Sequence, residues 1–380
     1  DNFWTPRLET SHNVTIPYAF TMCEETGRIR NFEKAAGLRQ GKHEGIHFDD
    51  SDVYKIMEGA SYSLQVNPEK MMRLYLDKLV TIMKAAQWED GYLFTFYSLP
   101  ERQPEKRWMN IPWIHEQYCV GHMYEAAVAH YQVTGEDTFL DIARKNADLI
   151  CETFAPYKRT DPPGHQEIEI GLCKLYRATG DEKYLNQAKF FLDQRGRKGN
   201  RGPKGDGGLY GTYSQDHKPV TEQNTAVGHS VRAAYLYTAM ADVAALTGNM
   251  EYIKAIDAIK DQILPENSSD SSAMQLDFWP HKGTTEWLQF DWDQEHKISS
   301  VKVYWFDDTG RGECHLPKTW RLLFRDTNGN FKPVNNKSSY DTDKDTFNKV
   351  DFEPVKTNSI KIEIILQEAW SAGIQEVVIE

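Results

Sequence analysis

The chain has 380 residues and a formal net charge of −12, from 44 Lys and Arg against 56 Asp and Glu. This acidic balance argues against nucleic acid or an anionic membrane surface as a partner, and it is easier to reconcile with a neutral small molecule or a glycan. No apolar run reaches the length of about 18 residues that a transmembrane helix needs, and the five cysteines are scattered without a CxxC pair, as is typical of free thiols.

Residues 1–264 carry the apolar periodicity of one amphipathic helix after another. The pattern predicts nine helices, at residues 13–25, 50–64, 68–87, 114–133, 137–153, 165–178, 182–194, 226–246 and 249–263. Because the length of the chain suggests two domains, this mostly α region is expected to form the first of them.

Three stretches of the helical region repeat one order: an apolar helix, a Thr-Gly pair, a polar residue, an aromatic residue and a charged helix. The Thr-Gly pairs lie at 134–135, 179–180 and 247–248. Glycine can end the first helix in a left-handed conformation, and the polar residue can begin the next one. Repeated hairpins with apolar inner and amphipathic outer helices predict an (α/α)6-type toroid, which is incomplete here because nine helices are too few for about six hairpins.

The composition changes near residues 265–275, at the polar linker LPENSSDSSA. Short alternating runs follow it, separated by turn signals: TEWLQFDW, SSVKVYWF, TWRLLFRD, NSIKIEIIL and IQEVVIE. Short strands at this spacing predict a second, all-β domain at residues 265–380, with the architecture of a β-sandwich.

Three histidines, His115, His165 and His229, lie near the beginnings of apolar inner helices. Since these helix beginnings share one rim of a toroid, we expect the three imidazoles to converge on a polar pocket, with Glu116 beside His115. Imidazole and carboxylate groups can bridge adjacent hydroxyls of a sugar. The competing interpretation is that these are core histidines with ordinary structural hydrogen bonds.

Gln87 and Asp216 are expected on the same rim. Gln87 opens the segment QWEDGY, whose mixture of aromatic and carboxylate groups suits a sugar ring, although an ordinary helix stop explains it equally well. Asp216 lies in a polar loop before the helix at 226–246, whose N-terminal N–H groups favour oxygen-rich ligands. That helix is apolar almost all round, which predicts that it is enclosed on every side.

His115, Cys119 and His122 have the spacing of zinc ligands on one helix face. No fourth ligand is evident and Cys119 lies in an apolar stretch, so a polar surface that faces a ligand is the favoured interpretation and no metal ligand is assigned. Glycosidases usually place two carboxyl groups around the scissile bond. The sequence offers four candidates that it cannot pair: Glu116, Glu167, Asp216 and Glu222.

Six segments of the helical region together resemble the N-terminal half of the β-L-arabinofuranosidases of glycoside hydrolase families 127 and 146. They are FWTPRLETSHNVTIPYAFTMCEETGRIRNF, DSDVYKIMEGASYSL, QWEDGYLFT, HEQYCVGHMYEAAVAHYQVTG, GHQEIEIGLCKLYRATGD and QDHKPVTEQNTAVGHSVRAAYLYTAMADVAALTG. Two segments of the second region, EWLQFDW and VKVYWFDDTGRGECHLPKTWRLLF, resemble the β-sandwich that closes many of those proteins. The resemblance covers nearly the whole chain.

The resemblance implies an (α/α)6 toroid and a retaining mechanism in which a cysteine thiolate held on zinc attacks the anomeric carbon. Further cysteines and a glutamate would bind the zinc, which keeps the thiol deprotonated, and a separate glutamate would act as acid and base. These residues belong to Glu-Thr-Cys and Cys-Cys motifs that this sequence lacks, so its nucleophile, acid/base and zinc ligands are not assigned.

For the substrate, the resemblance implies that three histidines line the arabinose subsite, with three further polar residues nearby. In this sequence they are His115, His165, His229, Glu116, Gln87 and Asp216. Their implied role is substrate binding only.

In relatives, the helix that resembles MEYIKAIDAIKDQI is followed by the remaining hairpins and the zinc motifs. Here it leads directly into LPENSSDSS. Because the helix count is also short, we expect the chain to be joined from separate segments or trimmed, with the junction near residues 258–265.

The leading hypothesis is a retaining exo-glycosidase that releases β-L-arabinofuranose from plant cell-wall glycans, located in the bacterial cell envelope and specifically the periplasm. The first alternative is a non-catalytic carbohydrate-binding protein of the same fold. The second is another α/α-toroid enzyme, such as an unsaturated uronyl hydrolase that uses carboxylates alone.

Overall fold

The computed structural model describes residues 4–99, 104–202, 208–260, 268–269 and 276–380. Contacts divide the chain into two compact units, Asp1–Lys260 and Asp261–Glu380. The predicted domain boundary between residues 264 and 265 lies outside the described residues and stays a prediction. In the part of the chain that is described, no helix combines the length and hydrophobicity needed to cross a membrane.

In its described part, the first unit is built mainly of helices joined by loops. Its α-helices are Trp4–Thr10 (α1), Ile16–Glu25 (α2), Arg28–Ala35 (α3), Asp50–Val66 (α4), Lys70–Ala86 (α5), Thr95–Ser98 (α6), Glu116–Thr134 (α7), Thr138–Thr153 (α8), Ile168–Thr179 (α9), Glu182–Gln194 (α10), Ser230–Thr247 (α11) and Met250–Lys260 (α12). The nine helices predicted from the sequence are confirmed to within a few residues, except that the predicted end of the ninth, residues 261–263, lies outside the described residues. The short helices α1, α3 and α6 are additions that the periodicity does not reveal.

Each Thr-Gly pair ends an inner helix, as predicted. Gly135, Gly180 and Gly248 have φ values of 73°, 72° and 72°, and the N–H of each donates to the carbonyl four residues earlier at 2.8 Å. A residue with a side chain is strained in this left-handed conformation, so glycine marks the end of the helix. After Gly180, the Asp181 carboxylate accepts from the Lys183 N–H at 3.1 Å and begins α10.

The inner helices pack side by side, with α4 on α7, α7 on α9 and α9 on α11. The segment Glu116–His130 of α7 is buried at every position, whereas α8 buries a single stripe. α11 differs from the prediction that it is enclosed on every side, because it buries one face and leaves Val231 on the other face 47% exposed. Its neighbours among the described helices, α9, α10 and α12, account for the buried face.

The last helix, α12, covers the first part of the predicted junction. It runs without interruption through residues 258–260. Residues 261–265 lie outside the described residues, so the junction itself stays a prediction.

The second unit is a six-stranded antiparallel sheet. Its strands are Leu276–Asp277 (β1), Thr285–Phe306 (β2), Thr319–Arg325 (β3), Phe331–Pro333 (β4), Phe347–Ile365 (β5) and Gly373–Ile379 (β6). They hydrogen-bond in the order β1-β6-β2-β5-β3-β4. Two of the predicted strands, TEWLQFDW and SSVKVYWF, are the two ends of the single strand β2.

The long strands β2 and β5 pair with different neighbours along their length. Their pairing shifts register between Asp291 and His296 and again between Ile298 and Ser300, and such bulges bend a strand. The first half of β2 lies beside the end of β5 that also pairs with β3, whereas the second half pairs with β6. The buried rings of Trp305 on β2 and Trp320 on β3 meet at 5.6 Å in the hydrophobic core of this unit.

Candidate functional site

Four imidazole rings form a row at the N-terminal ends of the inner helices. We call this row the histidine cluster: His47, His115, His165 and His229. Neighbouring ring centroids are 5.2 Å apart for His47 and His115, 5.3 Å for His115 and His165, and 6.0 Å for His165 and His229. The structure therefore brings together the three histidines that the sequence predicts, and it adds a fourth.

His47 is the member that the sequence prediction misses. It precedes α4 by three residues, as His165 precedes α9, while His115 and His229 directly precede α7 and α11. A histidine just before the beginning of each inner helix is the signal that identifies all four. This signal can be applied to His47 only if α4 is known to be an inner helix. The Thr-Gly repeats do not identify α4 as one, because it lies before the first of them.

Backbone carbonyls fix the proton position on two of the rings. The Nδ1 atom of His115 lies 2.9 Å from the Trp113 carbonyl oxygen, and Nδ1 of His165 lies 2.8 Å from the carbonyl of Gln166. A carbonyl only accepts, so each Nδ1 carries the proton and each neutral ring presents Nε2 as an acceptor. The Nε2 atom of His47 lies 3.2 Å from Nδ1 of His115.

His229 has the opposite polarity. Its Nδ1 accepts from the Arg232 backbone N–H at 3.4 Å, as the capping group of α11. In the neutral ring the proton is therefore on Nε2, which acts as a donor. The cluster thus offers acceptors at His115 and His165 and a donor at His229, a combination that matches neighbouring hydroxyl groups.

Burial keeps the two acceptor rings neutral. It lowers the pKa of His115 to about 4, and His47 and Arg232 act in the same direction. Burial also lowers the pKa of His165 to about 3, again with a contribution from Arg232. At neutral pH both rings can accept hydrogen bonds, and neither repels the other as a cation.

Aromatic rings surround the cluster. Tyr118 contacts His165 with centroids 4.5 Å apart, and its hydroxyl accepts from Lys55 Nζ at 2.6 Å. Trp113 and Tyr213 are stacked on each other at 6.0 Å and are 59% and 46% exposed. Exposed aromatic faces beside fixed hydrogen-bonding groups suit a ligand with both apolar and hydroxyl-bearing surfaces, such as a sugar.

Glu116, predicted as the partner of His115, faces a different set of groups. Its carboxylate accepts from the Tyr92 hydroxyl at 2.7 Å and from the Trp108 N–H at 3.0 Å. The side chain is buried, and burial raises the pKa of Glu116 to about 7. These contacts hold the loop before α7, and no contact joins Glu116 to the histidine cluster among the described residues.

Gln87 also has structural partners. Its side-chain amide donates to the carbonyls of Gly91 and Ile142 at 2.9 and 2.8 Å. This pair of bonds closes the turn after α5 and ties it to α8. The role of Gln87 in substrate binding stays a prediction that these contacts do not support.

Asp216 anchors the loop that precedes α11. The carboxylate is fully buried, forms an ion pair with the buried Arg201 guanidinium, and accepts from the backbone N–H groups of Gly196 and Tyr210. Both oxygens are therefore engaged within the protein. A sugar-binding role for Asp216 likewise stays a prediction without a supporting contact.

The zinc-like spacing of His115, Cys119 and His122 does not become a cluster of ligands. Cys119 is fully buried with its sulfur 3.5 Å from the Phe48 carbonyl. His122 faces Glu125 and Glu167 instead, and these three form the one group of potential metal ligands within the described ranges. The group contains no cysteine, so the described residues do not fit the cysteine-bound zinc centre that the resemblance implies.

Residues 1–268 match the family described as the β-L-arabinofuranosidase GH127 catalytic domain, and residues 253–377 match the F5/8 type C domain. A non-reducing end β-L-arabinofuranosidase of Bifidobacterium longum subsp. longum is 38% identical over 241 residues, which are 59% of this chain and 37% of that protein. The two family matches account for the helical unit and the β-sandwich in turn.

Two solved structures resemble this chain over more than two thirds of its length. A GH127 β-arabinofuranosidase is 52% identical with a TM-score of 0.64, covering 70% of this chain and 42% of its own. A GH127 β-L-arabinofuranosidase of Geobacillus stearothermophilus T6 is 37% identical with a TM-score of 0.66, covering 72% and 46%. The predicted class, an incomplete α/α toroid followed by a β-sandwich, is confirmed, and the chain spans less than half the length of each of these relatives.

Proposed function

The chain belongs to the GH127 β-L-arabinofuranosidase catalytic-domain family, and from this premise we propose that its histidine cluster binds the non-reducing-end β-L-arabinofuranosyl group of a glycan. The proposed reaction is release of that sugar with retention of configuration, and the proposed source of the glycan is the plant cell wall.

The observation that carries the proposal is the fixed polarity of the cluster. Nε2 acceptors at His115 and His165 and an Nε2–H donor at His229 stand in one row. A hydroxyl group both donates and accepts, so adjacent hydroxyls of one furanose can satisfy all three positions. The exposed rings of Trp113 and Tyr213 offer an apolar face for the rest of the sugar.

The histidine cluster accounts for sugar recognition but not for a catalytic nucleophile. All five cysteines are free thiols. Burial raises the pKa of Cys23 and Cys314 to about 11, and it raises the pKa of Cys151 and Cys173 to about 12. A thiol of this kind is a poor nucleophile at neutral pH. We therefore assign sugar recognition to the histidine cluster and no nucleophile, acid/base residue or zinc ligand to this chain.

A carbohydrate-binding protein without turnover is the second candidate, and the placement of the carboxylates favours it. Of the four candidates for general acid or base, Glu116, Glu167 and Asp216 are buried, and Glu116 and Asp216 hold structural contacts. Glu222 is exposed in a 3₁₀ turn. This arrangement also weighs against an enzyme that works with carboxylates alone.

The test uses the full chain with 4-nitrophenyl β-L-arabinofuranoside, with and without a zinc chelator, alongside calorimetric titration with L-arabinose. Chelator-sensitive release of nitrophenol supports the glycosidase, and sugar binding without release supports the binding protein. If the chain neither releases nitrophenol nor binds L-arabinose, the glycosidase and the binding protein are both overturned. Chelator-resistant turnover of another glycan supports the carboxylate enzyme.

Matched histidine variants locate the binding site. His165→Ala should weaken sugar binding about five- to tenfold, the value of one lost hydrogen bond. His281→Ala, at an exposed position of the second unit, is the control and should bind as the unaltered protein does. Equal affinities for the two variants would remove the histidine cluster from the proposal.

We also propose that the protein acts in the bacterial cell envelope, in the periplasm, where a polymeric glycan would be accessible. Cell fractionation with an antibody against the chain tests this. Recovery in the cytoplasmic fraction alone would contradict it.

A further inference from the structure

We propose that His122, Glu125 and Glu167 bind a divalent metal cation of the zinc or manganese class inside the helical unit. The site contains no thiol, and it is distinct from the sugar-binding role of the histidine cluster. Tyr118 contacts both His122 and His165, at 4.7 and 4.5 Å between ring centroids, so the site adjoins the cluster.

The distances fit a metal better than they fit hydrogen bonds. His122 Nδ1 lies 3.3 Å from Glu125 Oε2 and 3.3 Å from Glu167 Oε1, and the ligand atoms of all three residues lie within 4.8 Å of one another. Charge-assisted hydrogen bonds are shorter, about 2.7–2.9 Å. A tetrahedral ion with bonds of about 2.0–2.2 Å places its ligand atoms about 3.3–3.6 Å apart.

Several polar atoms of the site face one another without forming a well-aligned hydrogen bond. Both ring nitrogens of His122 and both carboxylate oxygens of Glu167 are of this kind. His122 is 4% exposed and Glu167 is fully buried. Buried polar groups are rarely left unpaired, and an ion that binds His122 and Glu167 together accounts for both residues at once.

The charges of the site also favour a divalent cation. Lys174 Nζ lies 2.9 Å from Glu58 and 2.5 Å from Glu125 Oε1, which leaves Glu125 Oε2 free to face His122. Three ionised carboxylates with one ammonium group and a neutral imidazole carry two excess negative charges. A divalent cation cancels them.

The backbone prepares the site from two helices. His122 and Glu125 stand three residues apart on α7 and so share one face, and Glu167 directly precedes α9. A Cβ atom at Gly121 would lie 1.6 Å from Glu167 Oε2. The glycine therefore leaves the space that the third carboxylate occupies.

Metal content tests the proposal directly. The full chain is produced in defined medium with zinc or manganese, purified without a metal-affinity step, and measured by mass spectrometry for metal per chain. We expect stoichiometric metal and a higher melting temperature than for protein unfolded in chelator and refolded without metal. Protein refolded with excess zinc and with excess manganese that holds neither ion would overturn the proposal.

Two variants and one control locate the ion. Glu167→Gln and His122→Gln should lower metal affinity at least about tenfold. His130→Gln alters a buried histidine on the same helix, outside the site, and should keep the metal. Full metal content in Glu167→Gln would refute the assignment.

The cobalt-substituted protein keeps the test decisive if the variants do not fold. Cobalt bound by nitrogen and oxygen shows visible ligand-field bands without the intense near-ultraviolet absorption of a cobalt–thiolate bond. Ligand-field bands without thiolate absorption support the proposed site. Thiolate absorption would place the metal on cysteine and overturn the proposal.

Discussion

Replacement of Asp216 by alanine separates a structural role from a sugar-binding role for this residue. In the structure the buried Asp216 carboxylate receives the Arg201 guanidinium and the backbone N–H groups of Gly196 and Tyr210. The variant leaves the buried Arg201 guanidinium without its counter-ion and two part-buried N–H groups without their acceptor. We therefore expect a loss of stability in the helical unit with the sugar affinity of the folded protein unchanged.

The magnitude follows from what remains unpaired. Removing one partner of a buried ion pair costs about 3–5 kcal/mol. Arg201 keeps its hydrogen bonds to the carbonyls of Gln194 and Arg197, at 3.1 and 2.7 Å, which satisfy part of the guanidinium. The expected decrease in the free energy of unfolding is therefore near the lower limit, about 3 kcal/mol.

The assay is denaturant unfolding followed by the helical circular dichroism signal, with titration of L-arabinose into the folded variant. Asp141→Ala is the control, because Asp141 is 62% exposed and lies 3.4 Å from Arg144, a surface pair whose loss should cost at most about 0.5 kcal/mol. If Asp216→Ala is as stable as the unaltered protein but no longer binds sugar, the structural role is refuted and the predicted sugar-binding role of Asp216 is supported.

Three further outcomes are expected. Lowering the pH from 6.5 towards 4 should destabilise the helical unit, because unfolded imidazoles take up protons that His115 and His165, with pKa values lowered to about 4 and about 3, exclude in the folded state; the acid-unfolding midpoint of His165→Gln should move to lower pH, and an unchanged midpoint would contradict this. Gln87→Ala should cost about 1 kcal/mol in denaturant unfolding, because two hydrogen bonds are lost while the Gly91 carbonyl keeps the Asn146 amide as a donor, and reduced sugar affinity at full stability would contradict the structural role. Trp305→Ala should destabilise the β-sandwich by about 3–5 kcal/mol, measured as its own unfolding transition, since it removes a buried ring from the core; sugar affinity should stay constant.

The helical hairpins could be predicted from the sequence because their signals are local. A glycine that ends an inner helix acts within one turn, and the apolar pattern of each helix repeats every few residues. The helices α1, α3 and α6 were not predicted, because each has eight residues or fewer. So short a segment shows little periodicity, and its conformation depends on the packing around it.

The strands show the limit of local signals more clearly. β2 extends from Thr285 to Phe306 without a break, although its middle, DQEHK, reads as a loop. Pairing with β5 stops after Asp291 and resumes at His296, so most of these polar residues form a bulge inside one continuous strand. A register between distant segments is not visible in either segment alone.

The site divides in the same way. The imidazoles could be predicted because each stands beside the beginning of an inner helix, and adjacent inner helices bring those beginnings together. Glu116 and Asp216 could not be placed, because the direction of a carboxylate depends on distant donors such as Tyr92 and Arg201. A residue's position along a helix is local information, whereas its hydrogen-bond partner is not.

The polarity of the histidine cluster shows how these two kinds of information combine. His115 and His229 both directly precede an inner helix, but Nδ1 of His115 donates to a carbonyl of its own loop while Nδ1 of His229 accepts from the helix that it caps. The same residue type at the same helical position therefore presents an acceptor in one case and a donor in the other. Because the backbone sets both tautomers, a ligand that lacks a hydroxyl proton opposite His115 should lose affinity while one that lacks it opposite His229 should not. Titration with singly O-methylated arabinofuranosides measures this difference, and equal losses at every position would show that the rings exchange tautomers freely.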